Sequence, residues 1–213
     1  MRTDVLMDGP RQARATLLLA HGAGAPMDSA AMTAIAQALG ACQFRVVRFE
    51  FSYMAARRTG GSKRPPPRAD KLIPEYRAMV ERLETPGPLI IGGKSMGGRV
   101  ASMIADDLFA GGRIAGALGL GYPFHPPGKP ETLRTAHLVD LRTPMLVCQG
   151  TRDPFGTAEE VAGYDLSPQL RLLWLEDGDH DLKPRKRLSG FSYQDHLGTM
   201  ATEVSDWITG LGI

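Results

Sequence analysis

Cysteine is almost absent: Cys42 and Cys148 are the only two in 213 residues. Each stands inside or beside an apolar run, which excludes a disulfide framework and points to buried free thiols in a reducing compartment. No apolar stretch approaches the roughly 18 residues of a membrane-spanning helix. No basic, compact apolar leader opens the chain either, since Asp4 and Asp8 precede the first apolar run at 16–20. Together these absences read as a cytoplasmic protein with no membrane partner. Zinc-type Cys/His spacing and H-E-x-x-H are missing, so no metal and no organic cofactor are expected. "IIGGKSMGG" contains a GKS string, but the first glycine of a phosphate-binding loop is replaced by Pro88. A surplus of one charge is also lacking. The net charge of +2 predicts no general attraction to nucleic acid.

What is present is alternation. Apolar runs at 16–20, 45–51, 88–92, 114–121, 144–150 and 169–176 read as strands. Between them Met32, Ile35, Ala36 and Leu39 share a helical face behind an Asp28 cap, with Gly40 as a stop. Leu72, Ile73, Tyr76, Val80 and Leu83 repeat that pattern, Thr157 and Glu160 spell a capping box, and residues 197–211 form a terminal amphipathic helix. The order implies one α/β domain over 1–213, a mainly parallel sheet with helices on both faces. Such sheets carry their sites beyond the C-terminal ends of the strands. Two long segments, 52–69 and the proline-interrupted 122–144, lack periodicity and read as loops at that edge. The second is too short and proline-rich for a large cap domain.

Ser95 lies in Gly93-Lys94-Ser95-Met96-Gly97, between a strand and a helical pattern. This is the G-x-S-x-G elbow, in which a tight strand-to-helix turn lifts a hydroxyl above a sheet. The fold that uses it supplies serine, acid and histidine in that chain order from successive strand ends. Asp153 in "GTRDPFG" and His180 in "GDHDL" comply. Histidine is the side chain able to take a serine proton at neutral pH, and a carboxylate fixes its tautomer. Asp177, Asp179 and Asp181 are read as solvating the loop around His180, and Asp140 lies at the wrong strand end. His21, His137 and His196 read as packing or surface residues, while His125 is placed at the pocket. "HGAGAP" follows the 16–20 strand, where this architecture donates one backbone N–H to an oxyanion. Ala23 is the expected donor, with Gly22 as the alternative register, and Met96 supplies the other. Lys94 is expected to be anchored by a carboxylate.

"HGAGAP", "GGKSMGGR", "GTRDPFG" and "GDHDLKPRKRLSG" resemble the motifs of small α/β hydrolases described as dienelactone-hydrolase-like, from about Thr16 to the last helix. The resemblance implies an α/β-hydrolase fold with Ser95, Asp153 and His180 as triad but no particular substrate; a serine activated in this way is expected to cleave a small-molecule ester or thioester through an acyl-enzyme. Dienelactone hydrolases proper use a cysteine nucleophile, and Ser95 departs from that. The family also resembles non-catalytic subunits of larger complexes, so a scaffold role is the alternative.

Charge is placed unevenly. Arg57, Arg58, Lys63, Arg64 and Arg68 crowd the first long segment without an acid, and Lys183, Arg185, Lys186 and Arg187 follow His180. A substrate-binding role for Arg57, Arg58, Arg64 and Arg68 toward an anionic acyl compound is the expectation that placement raises.

Overall fold

The computed structural model describes residues 5–58, 60 and 65–213. Its strands are β1 (Val5–Asp8), β2 (Thr16–Ala20), β3 (Arg45–Phe49), β4 (Leu89–Lys94), β5 (Gly116–Leu120), β6 (Met145–Gly150) and β7 (Leu170–Leu175). The helices are α1 (Ala30–Ala41), α2 (Ser52–Arg58), α3 (Ala69–Arg82), α4 (Met96–Ala110), α5 (Ala158–Val161), α6 (Lys186–Ser189) and α7 (Tyr193–Gly210). All seven strands form one sheet in the order β1-β3-β2-β4-β5-β6-β7. Every neighbouring pair is parallel except β1 with β3.

Alternating strand residues divide the core. Leu18 and Ala20 pack on the side of α3 and α4, while Leu17 and Leu19 face α1 and α7. Fully apolar strands are what a parallel sheet covered on both faces requires. The chain runs outward from β2 to β3 and then returns to place β4 on the other side of β2. That reversal opens a crevice beyond Ala20 and Lys94, where open α/β sheets hold their ligands. Among the described residues no cap domain overlies it: in the segment 122–144 the one helical element is a 3-10 turn at Ala136–Leu138.

The structure departs from expectation at three elements. β1 is an antiparallel edge strand whose half-exposed "VLMD" gives no apolar run. The segment beginning at Ser52 is helical through Arg58, because the Glu75 carboxylate accepts from the Ser52 backbone N–H at 2.6 Å and its hydroxyl at 2.9 Å. α1 is capped by Ser29, which accepts from Met32, and Asp28 is drawn instead to Arg58. The capping box at Thr157 and Glu160 forms as read.

Candidate active site

Ser95 is held at φ 51° and ψ −114°, a conformation non-glycine residues seldom adopt. The turn that holds it is built by close backbone approach. A Cβ on Gly93 or on Gly97 would lie 2.3 Å from the Ala20 carbonyl oxygen. Glycine at both positions therefore lets α4 begin against the end of β2, with the Ser95 side chain at the crevice.

His180 lies between the other two expected residues. Its Nε2 is 2.9 Å from Ser95 Oγ, and its Nδ1 is 2.8 Å from Asp153 Oδ2. Asp153 is fully buried. Besides His180 it accepts the Phe155 backbone N–H at 2.9 Å and the Gln149 side-chain amide at 2.9 Å. With both carboxylate oxygens accepting, the His180 nitrogen that faces them carries the hydrogen, which is the Nδ1–H tautomer of the imidazole. Phe155 stacks on the His180 ring with centroids 4.1 Å apart. Gln149 was not singled out by the sequence. Its signal is a lone polar side chain near the end of "MLVCQG", where only apolar residues fit unless a partner waits.

The acids flanking His180 brace its loop rather than merely solvating it. Asp177 pairs with Arg185 and Arg152, and the Arg185 guanidinium holds the Asp177 carboxyl down to about 2. Asp179 accepts the backbone N–H of Asp181 and of Lys183, each at 2.9 Å. Asp181 reaches Lys94 at 3.3 Å. Lys94 is the buried residue before Ser95, and burial pulls its ammonium below the usual range against the attraction of Asp181. That ion pair ties the elbow to the histidine loop.

The loop after β2 is fixed from two sides. His21 is fully buried; its Nδ1 donates to the Gly22 carbonyl at 2.6 Å, and its Nε2 accepts the Phe51 backbone N–H at 3.2 Å. Only the neutral Nδ1–H tautomer satisfies both, and burial lowers the pKa accordingly. The Tyr53 hydroxyl donates to the Ala23 carbonyl at 3.0 Å. Among the described residues nothing accepts the backbone N–H of Ala23 or Met96, and both residues line the cleft that contains Ser95. Gly22 does not line it, which favours Ala23 as the first donor.

The remaining expectations fare differently. His125 is buried, bonded to the Pro126 carbonyl at 2.9 Å and to Glu160 at 3.3 Å, and lies behind the cleft instead of lining it. Arg57 stacks over Tyr53 outside the cleft. Arg58 is held by Glu50 and Asp28, each at 2.7 Å, because acids remote in sequence fold beside it. Arg68 does line the cleft, with Asp70 at 3.1 Å. Arg64 and Lys63 lie outside the described residues. Of the basic residues expected to face an anionic substrate, Arg58 and Arg68 are thus matched by acids.

A second serine–histidine pair sits nearby: Ser102 Oγ is 2.8 Å from His137 Nε2 and 3.0 Å from the Tyr122 hydroxyl. Ser102 lies mid-helix, nearly buried, and its hydroxyl donates to the Arg99 carbonyl at 2.8 Å. No carboxylate within hydrogen-bond distance orients His137 among the described residues, so this cluster is structural. Burial first, and then the Arg99 charge, push the His137 pKa down to about 4. A lowered base binds its proton more readily in the unfolded chain. Stability is therefore complete above the unfolded value near 6.5 and declines as pH falls toward 4, by up to about 3 kcal/mol. Urea unfolding at pH 7 and pH 4.5 measures this, and His137→Asn is expected to flatten the slope, leaving the smaller fall contributed by His21.

Known proteins share this architecture. Residues 13–209 fit the model of the alpha/beta hydrolase domain. No curated protein sequence matches the chain. Among solved structures, a lidless a/b serine hydrolase from Xanthomonas campestris shares 22% identity, covering 96% of this chain and 89% of that one, with a TM-score of 0.69. A dienelactone hydrolase from Anabaena variabilis shares 18% identity over 99% of this chain and 92% of its own, with a TM-score of 0.73. An esterase domain from Rhodothermus marinus, also 18% identical, covers 97% of this chain and 98% of that one at a TM-score of 0.63. At these identities the likeness is one of fold, and with the family model spanning nearly the whole length the chain belongs to the alpha/beta hydrolase domain family.

Proposed function

We propose that this chain is a single-domain serine hydrolase that cleaves carboxylic esters or thioesters. The observation that carries the reading is His180 bridging Ser95 at 2.9 Å and Asp153 at 2.8 Å beyond the carboxyl edge of the sheet. Ser95 Oγ attacks the acyl carbon as its proton passes to His180 Nε2, and Asp153 stabilises the imidazolium. The carbonyl oxygen, now anionic, receives the backbone N–H groups of Met96 and Ala23. His180 returns the proton to the departing alkoxide or thiolate, leaving an acyl-enzyme. Water then repeats the attack with His180 as base, releasing the carboxylate and restoring Ser95. The Xanthomonas serine hydrolase and the Rhodothermus esterase domain support this chemistry by analogy of fold.

A fluorophosphonate probe tests the reading without knowledge of the natural substrate, because it reacts with activated serines. Labelling at Ser95, abolished in His180→Ala, is the expected result. Folded protein that remains unlabelled assigns the fold to the non-catalytic scaffold class.

A further inference from the structure

The cleft beside Ser95 has a volume of about 590 Å³ and three arginines on its wall, Arg68, Arg99 and Arg134. Arg68 is answered by Asp70, which lines the same cleft. Arg99 and Arg134 are not answered: among the described residues neither has a carboxylate within ion-pair distance or an acceptor for its guanidinium. The Nε of Arg99 is buried without any hydrogen-bond partner. Arg48, Arg77 and Arg152, which are also buried or partly buried, each lie against an acid.

Two guanidinium groups left unmatched in one half-buried site are costly, since each loses hydration and each repels the other. The repulsion is felt: burial and then the Arg99 charge lower the pKa of Arg134. Buried donors without acceptors occur where a ligand completes them. Position agrees with this. Arg99 stands one helical turn beyond the nucleophile, its backbone N–H bonded to the Ser95 carbonyl at 3.0 Å. Arg134 comes from the 122–144 segment, whose Pro123, Pro126 and Leu133 give the same cleft an apolar wall.

We propose that Arg99 and Arg134 form an anion subsite, so that the substrate is an ester or thioester carrying a carboxylate or phosphate group away from the scissile bond. The nature of the substrate rests on the hydrolase reading above; the anion preference rests on the arginine pair. Guanidinium forks match the paired oxygens of such groups, and the apolar residues lining the same cleft suit the carbon chain that joins the anion to the ester. The subsite replaces the expectation placed on Arg57, Arg58 and Arg68, which have internal partners, while Arg64 lies outside the described residues.

The test compares 4-nitrophenyl hemiglutarate with neutral 4-nitrophenyl butyrate as a ratio of kcat/KM. The native protein is expected to favour the anionic ester by about 10- to 100-fold at low salt, with the advantage shrinking as salt rises. Arg99→Gln and Arg134→Gln each cut the ratio by about tenfold, and Arg134→Lys, which keeps the charge but not the fork, gives an intermediate ratio. A ratio near one in the native protein, or unchanged in both glutamine variants, overturns the subsite. Calorimetric binding to Ser95→Ala separates this from failure of the hydrolase reading. Methyl hydrogen glutarate and inorganic phosphate are titrated against methyl butyrate, and which anion binds identifies the group. Anion binding lost in Ser95→Ala with Arg134→Gln supports the subsite even where native Ser95 resists the fluorophosphonate. Labelled Ser95 with no anion bound by Ser95→Ala overturns the subsite and leaves the hydrolase standing.

Discussion

Replacing Ser95 with alanine is expected to reduce turnover of a simple aryl ester by about 10⁶, the loss seen when a working triad is deprived of its nucleophile. Only the hydroxyl is removed. Alanine keeps the Cβ and brings no side chain into the turn at φ 51°, so the strain of the elbow is unchanged. The Ser95 hydroxyl makes one side-chain hydrogen bond, to His180 at 2.9 Å, and the Ser95 side chain lies at the cleft rather than in the core. The melting temperature should therefore hold within the spread of repeated scans. Ser102→Ala, measured beside it, distinguishes the two serine–histidine pairs. Its hydroxyl is buried and spends its proton on the Arg99 carbonyl, so turnover is expected to fall only a few-fold. A millionfold loss in Ser102→Ala with activity retained in Ser95→Ala reverses the assignment.

The difference between the two serines was legible in the chain, and the reason is local. The elbow needs glycines at 93 and 97, and the sequence shows them; Ser102 has an ordinary helical neighbourhood. The central strands β2, β4, β5 and β6 were legible because burial on both faces writes a nearly uninterrupted apolar run, and β3 and β7 because Arg48 and Arg171 interrupt theirs only once. What stayed hidden depends on partners far along the chain. α2 has one buried residue, Met54, and is started by Glu75, 23 positions from Ser52. Arg58 looked available because Asp28 stands 30 positions away in sequence. Arg99 and Arg134 were overlooked for the mirror reason, since an arginine without a partner is indistinguishable in sequence from one that has found one. Charge density along the chain drew attention to Arg57 and Arg58, which the fold places outside the cleft, whereas the arginines of the proposed subsite stand singly in sequence.

Asp153→Asn is the second large effect, expected to lower kcat by about 10⁴ with little change in substrate binding. Around the carboxylate stand three donors: the Phe155 N–H on Oδ1, the Gln149 amide on Oδ2, and His180 Nδ1 within 3.1 Å of both oxygens. Asparagine offers one oxygen and one NH₂, so in either orientation an N–H faces a donor it cannot satisfy. Gln149 cannot turn to help. Its oxygen accepts the Tyr122 N–H at 2.6 Å while its NH₂ donates to the carbonyls of Tyr122 and Gly156. His180 can yield, by moving its proton from Nδ1 to Nε2 and accepting from the new amide. The ring then points an N–H at Ser95 Oγ, which needs an acceptor, so the base is lost, while around residue 153 the fold gives up one accepted donor, Phe155 N–H or the Gln149 amide. NMR of the imidazole nitrogens reads that switch directly. Protonated Nδ1 in the native protein and protonated Nε2 in Asp153→Asn are expected at neutral pH. Native turnover in Asp153→Asn, or an Nδ1 that stays protonated there, removes Asp153 from the orienting role and shows that the pairing at 2.8 Å serves packing alone.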